Sequence, residues 1–212
     1  MSEKTIEKTK IKLNTPNKLT IFRILLVPVM VIVSFIQFPG DLWGIKTQWI
    51  ILDVLFIIGS LTDHWDGHLA RKNNQITTFG KFLDPIADKI LVISSFLLLV
   101  EQGKIPAWIP IIVILREFVV SGYRLVVVQG DGKVIAANIW GKIKTTTQMI
   151  AVIMCFLDIN RFGAIFNTQL DVLPFVWNLL TTLLMIVSTV ATIFSGYTYL
   201  KGSKDILFKD MK

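Results

Sequence analysis

A single cysteine, Cys155, among 212 residues excludes an intramolecular disulfide, and its apolar surroundings suit a small buried hydrophobe rather than a reactive thiol. Charge is also sparse. Asp, Glu, Lys and Arg make up 17% of the chain, against 53% hydrophobic residues and a mean hydropathy of +0.62. That balance is too apolar for an ordinary soluble globule. No stretch sustains strand alternation, which sets a closed membrane barrel aside. There is no internal repeat and no low-complexity segment. The polar, Lys-rich opening over 1–17 leads into an apolar run without a small-residue cleavage pattern, so no removable signal peptide is expected.

What the chain does have is long apolar runs. These predict an all-α integral membrane protein with six transmembrane helices near 20–38, 48–71, 82–101, 106–128, 139–157 and 172–200. They form one domain, 20–200, between a cytoplasmic segment 1–19 and a basic tail 201–212. Residues 11–20, with Pro16, suit an amphipathic stretch lying along the interface. Six spans put both termini on one side. If that side is cytoplasmic, nineteen of the 22 Lys and Arg collect there, and only Lys46, Lys104 and Arg161 face the other way. The net charge of +7 then reflects orientation and attraction to anionic membrane lipids, and a nucleic-acid partner is not needed to explain it.

The second span is unusual. Its purely apolar part, 49–61, already contains Asp53 and is too short to cross a bilayer, so the acidic residues that follow must enter the membrane. A helix continued to Arg71 carries Asp63 and Asp66 at i, i+3 on one face, and the third span carries Asp84 and Asp88 at i, i+4. Counted from the helix ends, Asp66 and Asp84 sit roughly 6 to 8 Å deep and Asp63 and Asp88 about 12 Å deep. Four carboxylates at matched depth repel one another and lose hydration unless a cation accompanies them. Oxygen-only ligands select Mg²⁺ or Mn²⁺, and four aspartates suffice for two such ions. Solvated helix ends are the plain alternative, which suits one acid better than four in register. Gly67 and Gly80 would let a phosphate approach the backbone, with Arg71 one turn beyond Gly67; helix packing would also account for Gly67 taken alone.

The string Asp63-x2-Asp66-Gly67-x2-Ala70-Arg71-x8-Gly80-x3-Asp84-x3-Asp88 resembles, at every fixed position, the signature of the CDP-alcohol phosphotransferases. Pro16-Asn17-Lys18-Leu19-Thr20-Ile21-Phe22-Arg23, Arg116-Glu117-Phe118 and Gly141-Lys142-Ile143-Lys144-Thr145 are similar to bacterial members that use glycerol 3-phosphate. The resemblance covers nearly the whole chain. It implies metal binding by Asp63, Asp66, Asp84 and Asp88, with Asp88 also the general base. It implies contact with the CDP-lipid by Gly67, Arg71 and Gly80, with Asn17, Thr20 and Arg23 near the nucleotide and Thr77 or Thr78 adding a hydroxyl. The substrates implied are CDP-diacylglycerol and sn-glycerol 3-phosphate, with CMP released, and family members are commonly homodimers. Arg116, Arg124, Lys142 and Lys144, near cytoplasmic helix ends, are the candidates for the acceptor phosphate. Orientation alone is the competing explanation for these four.

His64 and His68 have the i, i+4 spacing of a zinc pair but lie about 100° from the aspartate face, at variable positions of the signature, so no zinc is expected. The six tryptophans read as interfacial anchors, and Asp53 as a structural residue near the outer interface. Three other functions remain to be weighed: the same chemistry on inositol phosphate, serine or phosphatidylglycerol; a cation or proton transporter; and a catalytically silent scaffold. A transporter would place carboxylates at mid-membrane along a route to the far side, whereas these four cluster near one end.

Overall fold

The structure, a computed structural model, describes residues 15–72, 78–129 and 139–201; within them, the side chains of 15–16, 63–72, 78–82, 84 and 124–129 are outside the described set. Six helices account for nearly all of it: α1 (Thr15–Phe35), α2 (Thr47–Lys72), α3 (Thr78–Glu101), α4 (Trp108–Gln129), α5 (Ile139–Leu157) and α6 (Val172–Lys201). The six expected helices are present. The main difference is α1, which starts at Thr15 instead of 20, so 15–19 are its first turn. Pro16 suits that turn, where a missing amide is tolerated.

The connections carry structure that the sequence reading did not anticipate. Between α1 and α2 a two-stranded antiparallel hairpin pairs Asp41 with Lys46 and Leu42 with Ile45. Its two central residues, Trp43 (φ 53) and Gly44 (φ 80), both have left-handed backbone, and Asp41 Oδ2 accepts a hydrogen bond from Gly44 N at 3.1 Å. Gln48 then donates to Val33 O (3.1 Å) and Ser34 O (2.5 Å), satisfying two of the last carbonyls of α1. At the end of α3, Gly103 (φ 67) turns the chain while Lys104 N donates back to Leu99 O at 2.9 Å.

The packing of α6 is inside out relative to a helix of a soluble bundle. On α6 the buried side chains include Asn178, Thr181, Thr182, Ser188, Thr189, Thr192 and Ser195, while Leu183, Ile186, Val187, Val190, Ile193 and Phe194 are exposed. The buried hydroxyls return hydrogen to their own helix: Thr181 to Trp177 O (2.9 Å), Thr189 to Met185 O (2.8 Å) and Thr192 to Ser188 O (2.7 Å). Small polar residues inside and large apolar ones outside are what helix packing in lipid favours. The chain is built as a membrane protein. Among the described residues, Asn17–Phe35 and Val172–Lys201 are each long and apolar enough to cross a bilayer alone.

The apolar core joins Met30 of α1, Leu52 and Phe56 of α2, Leu91, Phe96 and Leu99 of α3, Ile109 and Val113 of α4, Val152, Cys155 and Phe156 of α5, and Met185 of α6. Cys155 is thus a core hydrophobe. Gly59 marks the tightest approach: a Cβ there would stand 2.7 Å from Leu91 Cδ2 and 3.3 Å from Leu26 Cδ1, so α1, α2 and α3 meet at a residue without a side chain. Asp53 lies near the start of α2, at the hairpin end. It is 3% exposed, and its Oδ1 has no hydrogen-bond partner.

At the hairpin end, the loops are tied to the helices. Lys104 Nζ lies 3.4 Å from the centre of the Trp49 ring and donates to Asp158 O. Asp158 accepts from Asn160 N (2.9 Å) and Asn178 Nδ2 (2.8 Å), and Phe162 N donates to Lys104 O (2.7 Å). Burial pushes Lys104 down from 10.5 to about 8, and burial also raises the Asp158 carboxyl above its usual range.

Candidate active site

α2 runs without interruption to Lys72, so the acidic segment is helical, with Asp63 and Asp66 on α2 and Asp84 and Asp88 on α3. Of these four, Asp88 is the one whose side chain is described. Gly67, Arg71, His64 and His68 fall on α2, Gly80 on α3 and Arg124 on α4, with their side-chain surroundings outside the described set; Thr77 lies outside the described residues altogether. α1 packs against both α2 and α3, and it buries Asn17, Thr20 and Arg23, at 2%, 1% and 0% exposure. An arginine fully buried at i, i+3, i+6 with two small polar residues makes a polar face on an otherwise apolar helix.

Beside Asp88 is a narrow cleft between α3, α4 and α5. Its polar lining is Asp88, Lys89, Glu117, Lys144, Thr145 and Gln148, and Val92, Ile93, Val113 and Met149 supply the apolar walls. Glu117 organises the charges. Its Oε1 accepts from Arg116 Nη1 at 2.7 Å and from Lys144 Nζ, and its Oε2 is 3.8 Å from Lys89 Nζ. Arg116 also donates through Nη2 to Ser195 Oγ of α6 at 2.6 Å, and its buried Nε has no partner among the described residues. Three cations around one carboxylate leave a local excess of positive charge, so an incoming phosphate would find charge-assisted donors already placed. A purely structural ion cluster would show the same Glu117 contacts. It would not need a second carboxylate, Asp88, in the same cleft.

The candidate acceptor residues therefore separate. Lys144 is buried and lines the cleft with Asp88, and Arg116 reaches it through Glu117. Lys142 is exposed and is not part of the lining. Sequence reasoning quoted Glu117 only as part of a motif and passed over Gln148. An acid inside the apolar stretch 108–129 was the available pointer to the first; for Gln148, one turn after Lys144, helical spacing was the only one.

A family model described as CDP-alcohol phosphatidyltransferase matches residues 13–194. The chain belongs to this family. Among curated proteins it is 41% identical over 202 residues to a protein of Bacillus subtilis (strain 168), covering 92% of this chain and 97% of that one. A protein of Haemophilus influenzae is 34% identical over 205 residues (95% and 99%), and one of Rickettsia bellii is 34% identical over 198 residues (92% and 98%). All three are named CDP-diacylglycerol--glycerol-3-phosphate 3-phosphatidyltransferase. CDP-alcohol phosphatidyltransferases are generally metal-dependent. Among the described residues no three metal-ligating side chains gather, and three of the four aspartates lack described side chains. The donor set fits a hard cation: four carboxylates and no thiolate, on two neighbouring helices that are continuous through them.

Proposed function

We propose that the protein transfers the phosphatidyl group of CDP-diacylglycerol to sn-glycerol 3-phosphate, giving phosphatidylglycerol phosphate and CMP. The observation that carries this reading is the shared cleft: a carboxylate suited to take a proton, Asp88, beside an ammonium suited to hold a phosphate, Lys144, in a chain so similar to proteins of that name. The acceptor enters with its phosphate toward Lys144 and Arg116, with Lys142 and Arg124 as outer cations, and its primary hydroxyl toward Asp88. That hydroxyl oxygen forms a bond to the β-phosphorus of CDP-diacylglycerol as the bond from this phosphorus to the CMP oxygen breaks. The hydroxyl proton passes to Asp88.

Asp63, Asp66, Asp84 and Asp88 would hold two divalent cations, Mg²⁺ or Mn²⁺, which when bound supply charge stabilisation to the phosphoryl oxygens and the departing CMP. Asn17, Thr20, Arg23, Gly67, Arg71, Thr77 and Gly80 are the residues assigned to the CDP-lipid in this reading. Six spans in one catalytic domain, both termini and the site on the cytoplasmic side, and a homodimeric assembly complete the proposal. The Lys and Arg distribution supports the orientation.

The test is CMP release by purified protein in detergent, with CDP-diacylglycerol and Mg²⁺ or Mn²⁺. Glycerol 3-phosphate, inositol phosphate, serine and phosphatidylglycerol are offered separately. Release with glycerol 3-phosphate alone is expected; release with one of the others instead would keep the chemistry and replace the acceptor.

A further inference from the structure

Gln148 lies on α5 one turn beyond Lys144, so the two share a helix face, and both line the cleft that contains Asp88. It is 2% exposed, and its Nε2, which carries two N–H donors, has no hydrogen-bond partner among the described residues. The surroundings do not explain this. Asp88 and Glu117 both line the cleft, yet neither pairs with the amide, and Val113 and Met149 offer no side-chain oxygen. A buried amide donor that forfeits its hydration and gains nothing in return is uncommon, and in a cleft it points to a missing partner on a ligand.

We infer that Gln148 is a specificity-determining residue, donating through Nε2 to the 2-hydroxyl oxygen of the acceptor. The inference rests on the function proposed above and deepens it. Glycerol 3-phosphate held at one end by Lys144 and at the other by Asp88 has one polar group left, the hydroxyl on its central carbon, and Gln148 lines the same cleft one turn from Lys144. A neutral donor suits that place: it pairs with a hydroxyl and does not compete with Lys144 for the phosphate. A site that sets aside a buried donor for a substrate hydroxyl penalises an analogue that lacks it, because the donor then stays unpaired.

The experiment compares glycerol 3-phosphate with 3-hydroxypropyl phosphate, which keeps the phosphate and the attacking hydroxyl and lacks the 2-hydroxyl. CMP release is measured with the full-length chain in detergent, CDP-diacylglycerol and Mn²⁺. Wild-type kcat/KM is expected to favour glycerol 3-phosphate by about 10- to 100-fold. Gln148→Met, similar in length and without a donor, is expected to bring the ratio close to one by losing rate on glycerol 3-phosphate while keeping it on the analogue. Gln148→Asn, which withdraws the donor by one methylene, is expected to give an intermediate ratio and carries the test if the methionine variant does not fold. Equal losses on both acceptors, with the ratio unmoved in a folded variant, would overturn the inference and leave the proposed function standing. Wild-type protein active only on another acceptor would overturn both.

Discussion

Lys144 is the residue at which structural and functional roles are hardest to separate, because its ammonium both neutralises Glu117 and lines the cleft beside Asp88. Removing one partner of a buried pair is destabilising, so its replacement has two consequences. Lys144→Met is expected to raise KM for glycerol 3-phosphate by roughly 10- to 100-fold, the size of a lost charge-assisted contact, and to leave KM for CDP-diacylglycerol within about twofold. Steady-state kinetics with each substrate varied in turn would check this. A common loss on both substrates, or no change in either, would make Lys144 a structural cation. At this scale the sequence was partly legible. The aspartates stood out because charge in an apolar stretch has to be explained, whereas Gln148 is uncharged and is distinguished only by the company that tertiary packing gives it.

At the scale of elements, the close approach at Gly59 governs how α2 and α3, which carry the four aspartates, sit against each other. Gly59→Val would place branched carbons where a Cβ alone meets Leu91 at 2.7 Å. It is expected to destabilise the protein by about 1–3 kcal/mol, the usual cost of overpacking, as read from thermal unfolding in detergent. Unchanged stability would mean that the helices separate freely at this point. The helices themselves were legible in the sequence, since apolar length fixes their extent and Lys or Arg marks one end; α2 was also recognised as a helix continuing through its acidic segment. The hairpin was not. Its turn has Trp43 at a left-handed position normally held by Asn, Asp or Gly, so only Gly44 of the usual two-residue turn signal is present. Trp43 is 86% exposed at the tip of the hairpin.

At the scale of the whole molecule, the two ends do different work: one carries the cleft, and the other is closed by the network around Lys104, Trp49, Asp158 and Asn178. Lys104 is depressed to about 8 in the folded protein from 10.5. Between those values the unfolded chain binds more protons than the folded one, so stability gains with rising pH across that window. Below about pH 8 the cost of burying the charge is fully present. A shift from 10.5 to about 8 is worth roughly 3 kcal/mol. Relative to Lys104→Met, the wild-type melting temperature is therefore expected to rise by up to about 10 °C between pH 8 and 10.5, at roughly 2–4 °C per kcal/mol. Thermal melts of both proteins across that range check it, and a flat difference would contradict the buried, charged Lys104.

The most direct measurement of the central claim follows labelled glycerol 3-phosphate into chloroform-soluble lipid in vesicles containing the wild-type protein or Asp88→Asn. Wild-type protein is expected to form labelled lipid only when CDP-diacylglycerol and a divalent cation are both present. Asp88→Asn is expected to form none while still binding CDP-diacylglycerol, because it loses the group that takes the proton. Labelled lipid from the Asp88→Asn protein at rates near wild type, or from wild-type protein without CDP-diacylglycerol, would contradict the account.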